Sequence, residues 1–597
     1  MTTRATRATR GPRRRTVVAL AVILAVLCAF VVRLIDIQVV SASEHVKDSL
    51  QVGQLGSTHA LTGNRGSIVD ANGTVLASSM TVYDAQLSPN LIMLLENDKD
   101  GPPETPWDEA ADKIAAITGQ DADELRAGVA ANLKDNPDSK YYQLKNGLST
   151  DKYLELRDLG LVYLSMKPRE TRVYPNGAVA GNIVGYLDSE REAQAGIEQM
   201  QESCLAPTDG ERTYLRGKGG EIIPGSERVV DALDGGSVQL TINSDLNWYM
   251  QQMLAEQAQK QGARAATAVV VEVKTGKIRA AAEWPSMDPN DLNASNPDDW
   301  GTRVFGLSYE PGSTFKAITA AAVLDTGAVN MNTTVSAAGH EKFPNGAVIN
   351  DAFVHGAYNY TLAGALIDSS NVAVSKFGTM IDSQTRYEYL QRFGVGEKTI
   401  DFPREANGVL HPAEGWDSQS LYTTTFGQHF TVTAPQIAGA YQAIANGGEK
   451  IDLSLVESCT LDDGTVVKPE APEHKQIISE STADQVSRIL ENVAVQGGLA
   501  DQVSIPGYRV AIKTGTAQKP KDDGSGYKAG KYYTSMVGFA PAEDPEYVVI
   551  VTLDEPTRIA SSTATAPAFQ QAMTQVLKTY RVPPSTAPMD ELLPKFN

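Results

Sequence analysis

The apolar positions fall into three regimes along the chain. Thr16 to Val32 is uncharged and almost wholly apolar, at the short end of the roughly 17–25 residues that cross a bilayer as a helix. Leu34, Ile35 and Ile37 extend the run if Arg33 snorkels to the interface. From 41 to 236 short apolar stretches alternate with loops and charged segments. Arg65 to Ala77 predicts strand, Asn72-Gly73 turn, strand. Trp107 to Asn132 predicts two charged helices, Gly177 to Tyr186 a strand, and Gly210 to Glu227 an extended connection. Beyond Ser237 the periods become regular. Val238 to Ile242 reads as a strand, Asp245 to Gln261 as a helix, and Ala266–Val273 with Ile278–Ala282 as a hairpin about Lys274-Thr275-Gly276-Lys277. Helical runs follow at 314–325, 363–367, 372–380 and 435–446, then strands at 509–512, 535–539 and 546–553. Two strands, many helices and three more strands predict one sheet carrying a helical subdomain, an α+β fold.

The expected organisation is a basic tail (1–15), a transmembrane anchor (16–40), a mixed α+β pedestal (41–236), a catalytic domain (237–580) and a tail (581–597) without a core of its own. The tail contains Pro583, Pro584 and Pro588. Arg4, Arg7, Arg10, Arg13, Arg14 and Arg15, with no acid among them, predict a cytoplasmic N-terminus and an ectodomain outside the plasma membrane. Ser41-Ala42-Ser43 would suit signal cleavage, but Arg33 and Asp36 interrupt the run before it. A net charge of −20 argues against a nucleic-acid partner. Cys28 lies in the apolar run, and Cys204 and Cys459 form no metal-ligand spacing; two inert thiols are expected rather than a bridge.

Three motifs carry candidate chemistry: Ser313-Thr314-Phe315-Lys316, Ser369-Ser370-Asn371 and Lys513-Thr514-Gly515-Thr516. Singly each is weak. Ser149-x-x-Lys152, Ser525-x-x-Lys528, Ser88-Pro89-Asn90 and Lys274-Thr275-Gly276 repeat the patterns elsewhere. Context separates them. Ser313 follows Pro311-Gly312 and opens an apolar helix ending at Gly327. Lys316 lies one turn on, on the same face, where a buried amine needs a partner. Lys513 ends an apolar strand, and Gly515 leaves room for a substrate backbone. Ser369 to Asn371 sits between helical runs, where it presents a hydroxyl and an amide. The ordered trio is the signature of penicillin-binding proteins and serine β-lactamases.

With these residues the chain resembles the class B penicillin-binding proteins, monofunctional D,D-transpeptidases. Tyr309 to Lys316, Phe426-Gly427-Gln428 and Val432 to Gln436 resemble further stretches of that family. So do Arg65-Gly66 with Asp70 and Asn72-Gly73, Arg172 with Tyr174-Pro175, and Gly196-Ile197-Glu198, as pedestal motifs. Glu310 and the Phe-Gly-Gln segment resemble the division-specific, FtsI-type branch, although His429 stands where glycine is common.

The resemblance implies a two-step acyl transfer. Ser313 attacks the D-Ala-D-Ala bond of a stem peptide, and neutral Lys316 is the base. Ser369 relays a proton, and Asn371 holds Lys316 and a substrate amide. Lys513, Thr514 and Thr516 grip the terminal carboxylate beside Gly515. Backbone N–H groups of Ser313 and Thr516 form the oxyanion hole. No metal or cofactor is implied. The implied partners are stem peptides or their lipid-linked precursor, β-lactams, a membrane glycan polymerase of FtsW type and other division proteins. An elongation role, a D,D-carboxypeptidase, and an idle scaffold or β-lactam sensor are the alternatives.

Overall fold

The computed structural model describes residues 11–36, 56–98, 101, 103–216, 222–521, 523 and 525–597. These residues fall into two compact units. The first joins residues up to 63 with 207–234. It holds the helix Gly11–Ile35, of which Thr16–Ile35 is long and apolar enough to cross a membrane, 20 residues with mean hydropathy 3.0. The helix runs through Arg33, which pairs with Asp36. Residues 37–40 of the expected anchor, Arg4, Arg7, Arg10 and the Ser41-Ala42-Ser43 site lie outside the described residues. A three-stranded sheet completes this unit, with Gly210–Leu215 between Gly56–Leu61 and Arg228–Val230. The expected connection at 210–227 is therefore a strand over its first six residues. Its Gly-rich composition hides a paired backbone, because Gly210 must pass Val230 O, 2.2 Å from where a Cβ would lie.

The second unit comprises 64–206 and 235–597. The hairpin about Asn72-Gly73 forms, with Ile68–Val69 antiparallel to Val75–Leu87 and Gly73 at φ 86°. Strand Ser237–Leu240 pairs in parallel with Ile68–Val69 and antiparallel with Val456–Thr460, so one sheet continues across residue 237. The helices Trp107–Thr118 and Ala122–Asp135 form as the pattern predicts. Gly119 ends the first at φ 71°, and the side chain of Asp121 caps the second. They cover a small separate core that includes Leu87, Ile114, Leu125 and Leu156.

Gly177 to Tyr186 is not a strand. It turns and then forms the helix Gly181–Val184. Ala180 to Gly185 are all buried, so small and apolar residues alternate there with no solvent face to report a period. Cys204 and Cys459 are joined as a disulfide, with Cα atoms 6.2 Å apart, contrary to the expected pair of thiols. A separation of 255 residues carries no spacing signal; the pairing of 237–240 with 456–460 and the bond from Gly236 N to Cys204 O bring the two together.

The three pedestal motifs converge on one buried carboxylate. Glu198 accepts from Arg65 Nε and Arg172 Nε, each at 2.7 Å, and its own side chain is fully buried. Arg65 also bonds Glu202, and Arg172 donates to Gly66 O. Removing Glu198 would leave two buried guanidiniums without their shared partner. Glu198→Ala is expected to cost about 3–5 kcal/mol, read as a lower denaturant midpoint; a change below about 1 kcal/mol would refute this account of the cluster.

Nine elements position the candidate site. They are β1 (Ala265–Glu272), β2 (Ile278–Trp284), α1 (Lys316–Asp325), α2 (Leu362–Ile367), α3 (Asn371–Gly378), α4 (Glu480–Gln496), β3 (Ala511–Pro520), β4 (Tyr527–Ala540) and β5 (Tyr547–Asp554). The sheet runs β2-β1-β5-β4-β3, antiparallel throughout. Every residue of β5 is buried, which is why it reads as one continuous apolar run. β3 is the edge. It continues past Thr516 to Pro520 and returns as β4 at Tyr527, where a polar loop from Gln518 to Lys531 was expected. The two strands form an extended hairpin, on which Lys519 pairs with Asp554 and Glu555.

Residues 581–597 contain no regular element and no core of their own, yet they dock. Leu593 packs on the main core, and Phe596 lies with its ring 4.9 Å from Tyr358 and 5.0 Å from Tyr360.

Candidate active site

The chain enters α1 through a 3-10 turn at Gly312–Phe315. Gly312 is left-handed at φ 59° and donates its N–H to Gly427 O, an approach that a side chain on Gly427 would obstruct, since its Cβ would lie 2.1 Å from Gly312 O. From Tyr309 to Leu324 every residue is buried except Ser313. Its hydroxyl is the one polar opening in a wall of core, and among the described residues it makes no hydrogen bond. Its N–H sits at the start of the turn, where the first donors lack an intrahelical acceptor.

Lys316 is fully buried one turn further on. Its amine donates to Ser369 O and, at 3.2 Å, to Ser369 Oγ, rather than to Ser313. Lys513, also fully buried, reaches the same Ser369 Oγ at 3.0 Å and Thr514 Oγ1 at 3.2 Å. One serine oxygen thus lies between two amines. Burial holds Lys316 well below the ordinary lysine range, and Lys513 pushes it further the same way, while Asp351 opposes them. Burial alone lowers Lys513 to about 7. An uncharged amine at position 316 beside a second one able to take a proton is the state that general-base activation of a serine requires.

Ser369 holds a left-handed backbone at φ 55°, a conformation that L residues keep only where surroundings enforce it. Asp351 supplies part of that constraint. Its Oδ2 accepts from Ser370 Oγ at 2.7 Å and meets His355 Nε2 at 2.9 Å, and its Oδ1 accepts from Val372 N. The side chain of Asn371 donates to Asn350 O at 2.8 Å, not to Lys316. Thr514 and Thr516 are half-buried, two residues apart on one face of β3, and Thr516 Oγ1 accepts from Ser562 N.

Gly515 has a different reason from the expected one. A Cβ there would lie 2.2 Å from Ser535 Oγ and 2.9 Å from the Thr314 methyl. The missing side chain lets β3 press against the turn that carries Ser313. Gly515→Ala is expected to separate them and slow acylation of Ser313 by about 10²-fold, given the cost of an ångström-scale misplacement. A time course of β-lactam labelling reads this; a rate within twofold of wild type would show the spacing to be unimportant.

The repeated patterns elsewhere take ordinary roles. Ser149 caps the helix Thr150–Arg157 by accepting from Lys152 N, and Lys274-Thr275-Gly276 turns the β1–β2 hairpin with Gly276 at φ 68°.

The family model of the penicillin-binding protein transpeptidase domain matches residues 266–574, and that of the penicillin-binding protein dimerisation domain matches residues 60–240. The chain belongs to the class B penicillin-binding proteins. It is 31% identical to penicillin-binding protein PbpB of Mycolicibacterium smegmatis over 603 residues, covering 95% of this chain and 90% of the relative. It is 28% identical to peptidoglycan D,D-transpeptidase FtsI of Escherichia coli, covering 94% and 91%. A solved peptidoglycan synthetase of Bifidobacterium adolescentis superposes with a TM-score of 0.71 at 28% identity, covering 91% of this chain and all of the other.

The motif reading missed one group of this penicillin-binding protein and the structural role of another. Asp351 is an isolated acid after a short strand, and no spacing rule links it to Ser370 nineteen residues on. Glu310, buried beside Pro311, accepts from His429 N and Tyr527 Oη, and burial raises its carboxyl above the usual range. It ties the β3–β4 hairpin and the Gly427–His429 loop to the nucleophile turn. His429 holds a left-handed backbone, φ 71°, a conformation that glycine takes without steric cost.

Proposed function

We propose that this class B penicillin-binding protein is a peptidoglycan D,D-transpeptidase that cross-links stem peptides during septal wall synthesis and is acylated by β-lactams. The observation that supports this best is the placement of Ser369 Oγ between two buried amines, one of them on the turn whose single half-buried residue is Ser313. In this reading Ser313 Oγ attacks the carbonyl between the two terminal D-alanines, and its proton passes to Lys316. A tetrahedral oxyanion forms against the N–H groups of Ser313 and Thr516. As it collapses, Ser369 carries the proton to the leaving D-alanine amine, which leaves an ester on Ser313. An amine of a neighbouring stem peptide takes the acyl group, forms the cross-link and frees Ser313. Protonated Lys513 with Thr514 and Thr516 holds the terminal carboxylate, and Gly515 sets the spacing. Asn371 reaches the substrate amide after releasing Asn350 O.

The same reading places 1–15 in the cytoplasm, 16–40 across the plasma membrane, a pedestal at 41–236, the transpeptidase domain at 237–580 and a tail at 581–597. An FtsW-type glycan polymerase and other division proteins are the partners it implies, with the lipid-linked precursor supplying the donor.

The test uses the purified full chain, a D-Ala-D-Ala stem peptide and a second peptide bearing a free amine. Mass spectrometry should find the amide-linked dimer and released D-alanine. Tripeptide-terminated hydrolysis product alone would make the protein a carboxypeptidase, and no turnover with no penicillin label would make it a scaffold. Depletion in cells should give filaments; rounded cells would assign it to elongation.

The two lysines also set a pH dependence. Lys316 must be neutral, so acylation falls as the pH drops through its lowered pKa. Lys513 must be charged to hold a carboxylate, so its pKa of about 7 places an alkaline limb far below that of an ordinary lysine. The second-order acylation constant, which reports the free enzyme, is expected to peak below about pH 7.5. A profile flat to pH 9.5 would contradict this.

A further inference from the structure

The segment Leu593–Asn597 makes more contacts than a trailing end requires, and they concentrate on the supports of one turn. Leu593 N donates to Asn492 Oδ1 and Leu593 O accepts from Gln496 Nε2, both on α4. The backbone then pairs with the residues that lead into α2. Thr361 N donates to Lys595 O, Thr361 Oγ1 donates to Pro594 O, and Asn597 N donates to Asn359 O. Thr361 is the cap of α2, so the cap hydroxyl serves the helix and the segment together. Gly364 inside α2 is otherwise unexplained, since glycine weakens a helix interior. A Cβ at 364 would lie 1.9 Å from Lys595 O. The helix has given up a side chain where this segment lies.

α2 ends one residue before Asp368, and Ser369 follows. Lys595 Nζ pairs with Asp368 Oδ1 at 2.7 Å, a half-buried contact immediately beside the left-handed serine. On the other flank the Phe596 ring packs on Tyr358, and Tyr358 stacks on His355 with centroids 5.2 Å apart and planes 3° apart. His355 in turn meets Asp351, which receives Ser370 Oγ and Val372 N. Two neighbouring side chains of one segment therefore brace both sides of the turn that carries Ser369 and Asn371.

We propose that Lys595 and Phe596 are positioning residues for acylation: they hold the Ser369–Asn371 turn in the strained geometry that keeps Ser369 Oγ between Lys316 and Lys513. A strained residue persists where its neighbours over-determine it, and this segment supplies the contacts that α2 and α3 alone leave out. The inference rests on the acyl-transfer reading, because acylation is its readout.

The experiment measures acylation of the detergent-solubilised full chain by a fluorescent penicillin V, resolving the limiting rate and the half-saturating concentration, with thermal melting alongside. Lys595→Ala combined with Phe596→Ala is expected to lower the limiting rate about tenfold, with the half-saturating concentration and the labelled fraction at completion unchanged. Lys595→Asp should be as slow, and adding Asp368→Lys should recover most of the rate, a coupling that loss of stability does not mimic. Wild-type limiting rates in the double alanine variant would overturn the proposal. So would a loss confined to the labelled fraction, which would mean that the segment only stabilises the fold. Failure of the wild-type chain itself to label would instead sink the acyl-transfer reading.

Discussion

Lys316→Met is expected to reduce acylation of Ser313 by about 10⁴-fold or more while raising the melting temperature. The loss follows from the geometry, since removing the base of a serine nucleophile costs roughly what removing the nucleophile costs. No other neutral amine adjoins Ser313, because Lys513 has to stay charged to hold a carboxylate. The gain follows from burial. An amine held far below its ordinary pKa binds fewer protons folded than unfolded at every pH between its lowered value and the ordinary lysine pKa of about 10.4. Stability therefore increases as pH rises through that window, and at neutral pH the buried amine opposes folding. Methionine fills a similar volume without that cost. Opposite changes in rate and stability mark a group retained for chemistry. A gel time course of fluorescent penicillin labelling and a thermal melt give both numbers; labelling within tenfold of wild type would remove Lys316 from the role of base.

The second large effect concerns Cys204 and Cys459. Their bond closes a loop of 255 residues, and in the chain-entropy account such a closure restricts the unfolded ensemble by about 5.5 kcal/mol. It also sits tightly. Gly236 passes both sulfurs, each 3.1 Å from the point a Cβ would occupy. Changing both cysteines to serine is expected to lower the melting temperature by at least several degrees and to make the difference between reduced and oxidised samples vanish. Equal melting of the wild-type protein with and without reductant, once thiol counting has confirmed reduction, would contradict this.

The parts of the fold that were readable share one property: a face or an end that the sequence must mark. β1, β2 and β5 announce themselves as apolar runs bounded by turns, and the helices at 107–135 by charges on one side and a glycine or aspartate at an end. Ser313 and Lys316 were readable because a three-residue spacing places them one turn apart, and Lys513 because a lysine directly after an apolar run is conspicuous, although the strand continues beyond it to Pro520. What was not readable depends on residues far apart in the chain. Asp351 under Ser370, Ser562 on Thr516 and the two cysteines have no common period. The close approach of Gly515 to Ser535 and Thr314 joins residues far apart in the chain. Asn371 was expected on Lys316, but Asn350 O competes for its amide. The tail looked idle because its contacts, backbone pairs with residues 359–361 and side chains on Asp368 and Tyr358, join distant parts of the chain, which composition cannot show.

The wall around Ser313 has a bearing on drug escape. Its neighbours from Tyr309 to Leu324 are structural core, so a substitution there that excludes an inhibitor also leaves a cavity or an overpacked contact, each costing about 1–5 kcal/mol. Resistance arising in this protein should therefore collect at the half-open rim, at Thr514, Thr516 and the β3–β4 hairpin, or in second-site changes that restore lost stability, and seldom beside the nucleophile itself.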